Sequence, residues 1–159
     1  MMSNISTGRV ILGGIVAGIV SDVLDYLVDG VWLAPRWNAG LKALGHGGFA
    51  PNQWIGFDLL GIAGGLVAIW IYAAIRPRFG PGVATAIKAG VAVWILGTLL
   101  PNAAFMYLGG LFPHHLTLYT TVGGLFEVVI GTIAGAILYR ESSGAAEAKL
   151  AEMAQNAGV

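Results

Sequence analysis

The chain has 159 residues, of which 57% are hydrophobic and 10% charged, against about 25% charged in a soluble domain. Its mean hydropathy is +0.78, and eight basic and eight acidic residues cancel to zero, which removes the electrostatic footprint that nucleic-acid binding requires. There is no cysteine, so disulfides, thiolate metal sites, iron–sulfur clusters and cysteine nucleophiles are excluded.

A membrane span needs roughly 20 largely apolar residues. Four stretches qualify, at about 9–33, 54–75, 83–108 and 116–139. They use up nearly the whole chain and leave no room for a separate soluble catalytic domain. The expected fold is an all-α membrane protein, four transmembrane helices in an antiparallel bundle, with 1–141 as the membrane domain and 142–159 as a cytoplasmic tail.

In the first span Arg9 precedes an apolar run, as in a signal peptide. No small-x-small cleavage site follows, and the run continues into Ser21-Asp22-Val23-Leu24-Asp25, so a retained helix is expected. At 100° per residue Asp22, Asp25 and Asp29 fall within an arc of roughly 60°. Gly14 and Gly18 extend that stripe. In the loop beyond, Trp37, Leu41 and Leu44 recur at i, i+4 and i+7 between Pro35 and Gly45, which predicts a short helix lying in the membrane interface. An irregular loop anchored by Trp37 is the alternative.

On the second span Asp58 shares its face with Gly61, Gly65, Ala68 and Tyr72. An Arg-Pro-Arg-Phe-Gly-Pro-Gly turn follows at 76–82. On the third span Thr98, Asn102 and Gly109 share a face. Pro101 leaves a carbonyl one turn earlier without its donor. On the fourth, Glu127 shares its face with Thr120, Gly123, Gly124, Gly131 and Ala134, and Gly131 with Gly135 repeats the small-xxx-small spacing that lets helix backbones approach closely in lipid. The tail is expected to break at Ser142-Ser143-Gly144, then to place Ala146, Leu150, Met153 and Ala157 on one face, too short a stripe to hold a helix without a docking surface.

Arg9, Arg76, Arg78, Lys88, Arg140 and Lys149 fall on one side, against Arg36 and Lys42 on the other. The positive-inside rule then puts both termini in the cytoplasm. Lys88 must snorkel to count.

Five acids within spans, Asp22, Asp25, Asp29, Asp58 and Glu127, each need a reason, since a charge at mid-bilayer costs about 2.5–3.5 kcal/mol on insertion scales. With Asn102 they form an outward-facing polar funnel whose deepest member is Glu127. No basic residue sits at that depth, so Glu127 and Asp22 are expected to be protonated, hydrogen-bonded or cation-bound. Three readings compete. The acids are hydrogen-bonded structural groups, Asp25 and Asp29 being near water; or Asp22, Asp25, Asp58, Glu127 and Asn102 make a proton or cation path; or His46, His114 and His115 complete a metal site, for which adjacent His114-His115 lack the i, i+3 or i, i+4 spacing. No hydrolase, nucleotide or metalloprotease motif occurs in a suitable setting, and no histidine lies deep enough for haem. No cofactor is expected. Trp32, Trp37 and Trp54 read as an outer aromatic belt.

Ile71-Tyr72-Ala73-Ala74-Ile75-Arg76-Pro77-Arg78-Phe79-Gly80-Pro81-Gly82 and Gly131-Thr132-Ile133-Ala134-Gly135-Ala136-Ile137-Leu138-Tyr139-Arg140-Glu141 resemble motifs of uncharacterised small four-span bacterial membrane proteins. The resemblance implies that fold and a bacterial inner membrane, and no activity. Glycine faces and a tail in want of a surface make the expected function that of a non-enzymatic accessory subunit or homo-oligomer, with lipid and other membrane subunits as partners. The alternative is a small proton- or cation-conducting protein.

Overall fold

The computed structural model describes the backbone of residues 6–157, and the side chains of all of these except 51, 140–152 and 157. The described chain is 88% helix, and no strand occurs among the described residues. Helix α1 (Thr7–Asp25) continues as a π-helical segment, Tyr26–Trp32; α2 is Ala34–Ala43, α3 Pro51–Phe79, α4 Val83–Trp94 and α5 His114–Ala157. Between α4 and α5 the chain remains helical through two further π segments, Ile95–Leu99 and Asn102–Leu108.

Four helices are long and apolar enough to cross a membrane: Thr7–Trp32, Asn52–Phe79, Val83–Leu108 and His114–Tyr139. Only 22–39% of their most apolar windows is buried inside the molecule, and large side chains such as Leu60, Leu96 and Leu108 point outward. An exterior this apolar is solvated by lipid and not by water. The chain is a multi-pass membrane protein built as a helix bundle.

The π segments have a local cause around Pro101. Its missing N–H denies the helix a regular i→i−4 bond, and the backbone turns to i→i−5 pairing on both sides: Leu100 N–H bonds Ile95 O, and Gly109 N–H bonds Ala104 O at 2.9 Å. The first π segment closes similarly, with Leu33 N–H on Val28 O at 2.8 Å, though no proline lies in it.

Helix α3 runs beyond 54–75 at both ends. At its start Gln53 Oε1 accepts the Ala50 N–H at 2.7 Å, half of a capping box. At its end Pro77 is absorbed in the last turn and Gly80, at φ 79°, stops the helix, a backbone angle that favours glycine. Thr85 Oγ1 donates to Gly80 O at 2.8 Å and Gly82 N–H donates to the Tyr72 hydroxyl at 3.2 Å, tying the turn to the core. Helix α5 passes through Ser142–Gly144 without a break, where the sequence suggests one. The Ala, Glu, Lys and Leu residues that follow are strong helix formers, and they outweigh about 1 kcal/mol of glycine penalty.

Packing follows the glycines. A Cβ on Gly14 would lie 2.6 Å from Leu66 Cα, and one on Gly18 would lie 2.5 Å from Ile62 Cα. Gly65 sits against the Gly14 and Gly18 backbone, and Gly61 against the Asp22 carboxylate. On the other side of α1, Gly135 meets Gly13 and Ala17, while Gly131 meets Ala17 and Ser21. Residue numbers fall along α3 and α5 as they rise along α1. At the end near Gly80 the core is Tyr72 against Tyr139, their rings edge-on at 5.9 Å, with Ile69, Ala86, Ala89 and Ala136 around them.

Candidate functional site

At the opposite end the helices part around a chamber of about 720 Å³. Each long helix contributes to its lining: Asp25, Asp29 and Gly30 from α1 and its π segment; Trp54 and Phe57 from α3; Gly97, Thr98 and Asn102 from the π segments after α4; Thr120, Gly124 and Glu127 from α5. Helix α2, through Trp37, and the loop carrying Phe49 complete the rim. All three π segments thus present residues to this one space, in keeping with the frequent occurrence of such segments at functional sites.

The floor is acidic. One carboxylate oxygen from each of Asp25, Asp29 and Glu127 lies within 4.8 Å of the other two. Asp25 is exposed to the chamber, Asp29 is half-buried and Glu127 is only 6% exposed. Asp29 is well supplied with donors: its Oδ1 accepts the Trp37 indole N–H at 2.6 Å and the Thr120 hydroxyl. Those two bonds join the first π segment to α2 and α5. Glu127 is the reverse case. Among the described residues its buried Oε1 has no hydrogen-bond partner, which calls for a proton, water or ion to satisfy it.

The backbone around Glu127 holds it there. Ser21 Oγ donates to the Glu127 carbonyl at 3.2 Å, fixing the α1–α5 crossing at this level. Gly123 opens the room above it: a Cβ at that position would lie 3.2 Å from Glu127 Oε1 and 2.9 Å from Val28 Cγ1. Asn102 is held by its amide, Nδ2 donating to Thr121 Oγ1 at 3.0 Å. Trp94 anchors the same stretch of α5, its indole N–H donating to Thr121 O at 2.9 Å.

No family model, curated protein or solved structure matches this chain. What the site can do rests on its own chemistry.

The residues singled out from sequence divide into two groups. Asp25, Glu127 and Asn102 line the chamber together with Asp29. Asp22 and Asp58 do not: Asp22 packs on Gly61 in the α1–α3 seam, close enough to Asp58 for the two charges to act on each other. His46 is exposed, and His114 stacks on Tyr107 at 4.3 Å. His114 and His115 line a separate hollow beside α2. Among the described residues, the group of three potential metal ligands is Asp25, Asp29 and Glu127, with no histidine in it. Asp29, read from sequence as simply near water, proves to be part of the floor. Its signal was Trp37 in the following helix, a donor within reach only once the chain turns. Trp37 and Trp54, read as belt residues, contribute to the lining of the chamber.

Among the described residues, no lysine, arginine or histidine lines the chamber. Two carboxylates within 4.8 Å repel by about 3.5 kcal/mol at an effective dielectric of 20, and three such pairs cannot all be charged without compensation. A proton, an ammonium group or a metal ion supplies it.

Proposed function

We propose that this chain is a cation-handling protein of the bacterial inner membrane, whose acid-floored chamber receives protons or a larger cation from the non-cytoplasmic side. The observation that carries the reading is Glu127 Oε1, buried and, among the described residues, without a hydrogen-bond donor, beside Asp25 and Asp29, in a chamber that no described basic group lines. Such a site is stabilised by positive charge and by little else.

In this reading the four spans form an antiparallel bundle with both termini cytoplasmic and α2 lying in the outer interface over the chamber mouth. The basic residues at the Gly80 end support that orientation. Lys88 reaches back to within 4.5 Å of the Phe79 ring centroid, as a snorkelling side chain would. Beyond Glu127 the α1–α5 seam is closed by backbone contact at Gly131 and Gly135. That favours a chamber closed toward the Gly80 end over a continuous pore.

The purified chain in liposomes should carry a cation- or proton-driven charge movement that is lost in Glu127→Gln with the fold intact. A correctly folded wild-type chain that moves no charge under any cation or pH gradient would remove translocation from the account. The accessory-subunit reading drew on glycine faces and on the C-terminal tail; Gly14, Gly18, Gly61, Gly65, Gly131 and Gly135 find contacts within the chain, so those glycines do not by themselves call for a partner.

A further inference from the structure

Building on the cation-handling reading, we infer that the chamber's ligand is an organic cation, a protonated amine or quaternary ammonium with an apolar body, held between the acid floor and an aromatic wall. The wall consists of Phe49, Trp54 and Phe57, whose rings meet edge-on with centroids 5.2–6.3 Å apart. All three line the chamber, and Trp54 and Phe57 remain 43% and 46% exposed. Edge-on contact is the ordinary packing of such rings; what sets these apart is that they line the same chamber as Asp25, Asp29 and Glu127.

Size separates the candidates. At about 30 Å³ per water, the 720 Å³ chamber has the room of about two dozen waters. A divalent ion with its six to eight oxygen ligands would use the floor and leave the wall without a role. A proton needs still less. A ligand of small-molecule size fits the range of about 300–1,000 Å³ typical of such pockets, and its two ends match the two surfaces. Its charge meets Asp25 and the unpartnered Glu127 oxygen, since Asp29 Oδ1 is already engaged by Trp37 and Thr120. Its apolar substituents lie on Trp54 and Phe57, whose ring faces attract cations as well as burying methyl groups.

The test is a tryptophan-fluorescence titration of the detergent-purified full chain, since Trp37 and Trp54 line the chamber. The probes are benzyltrimethylammonium, its uncharged carbon isostere neopentylbenzene at matched free concentration, and Mn²⁺. The inference expects saturable binding of the ammonium but not the isostere, weakened at least about tenfold by Glu127→Gln, an ion-pair loss of ordinary size. Trp54→Leu should weaken the ammonium and leave Mn²⁺ unaffected. If Glu127→Gln does not fold, Asp25→Asn at the chamber surface reads the same quantity. Equal binding of the isostere overturns the inference, because the pocket is then merely apolar. Saturable Mn²⁺ binding without the ammonium overturns it too but keeps the cation-handling reading. If neither cation binds a folded chain, the inference falls and only proton handling is left of the reading it rests on.

Discussion

Glu127 is where sequence, burial and chemistry meet most sharply. An amide in its place keeps the shape and removes one of three clustered carboxyls, whose repulsion otherwise has to be relieved by a bound proton or cation. In the absence of any cation, Glu127→Gln should therefore raise thermal stability in detergent, by about 1–3 kcal/mol for a relieved repulsion of this kind, while abolishing stabilisation by added cations. A structural hydrogen-bond acceptor would behave oppositely, the variant being less stable under all conditions. Gly123→Ala tests the same site through space. Its Cβ would press on Val28 and on Glu127 Oε1, so cation affinity should fall although no charge changes. Trp37→Phe removes one donor to Asp29 and should cost about 1–3 kcal/mol, the range for leaving a part-buried acceptor without its partner, measured by thermal unfolding.

At the scale of elements, glycines separate into those that set helix spacing and those that do not. Gly18 faces the Ile62 backbone, which cannot step aside as a side chain can; Gly64 faces open space. Gly18→Ala should therefore destabilise by about 1–3 kcal/mol, the cost of overpacking. Gly64→Ala should be neutral or stabilise by about 0.5–1 kcal/mol, because alanine is the better helix former. Thermal unfolding of the two variants in one detergent decides it. The spans and their glycine faces were legible in the sequence because lipid imposes long apolar runs and close packing imposes small residues at regular spacing. The π segments were not. Only Pro101 hinted at them, and the segment at Tyr26–Trp32 holds no proline. A regular helical arc grouped Asp22 with Asp25 and Asp29, but Asp22 lies one turn deeper, where α1 is closed against Gly61 of α3, and it packs in that seam below the chamber. The aromatic wall was also hidden, because Phe49 joins Trp54 and Phe57 only through the loop that precedes α3.

For the molecule as a whole, the chamber lies at one end of the bundle and Arg9, Arg76, Arg78 and Lys88 lie toward the other, while Arg36 and Lys42 stand on α2 at the chamber end. That polarity predicts a topology. The natural chain has no cysteine, so single cysteines report cleanly. His46→Cys should react with an impermeant maleimide from outside intact cells, and Arg78→Cys only after permeabilisation. The reverse pattern would turn the chamber toward the cytoplasm and invert the direction of uptake. The acid cluster itself is the deeper claim, because it asks for a cation whichever side it faces. The most direct measurement is labelling by a hydrophobic carbodiimide, which reacts with protonated carboxyls, followed by peptide mass analysis with and without benzyltrimethylammonium or Mn²⁺. The account predicts that Glu127 is modified and that the cation the chamber holds slows the modification. Labelling of Glu127 that is indifferent to every cation, or no labelling in a folded chain, would contradict it.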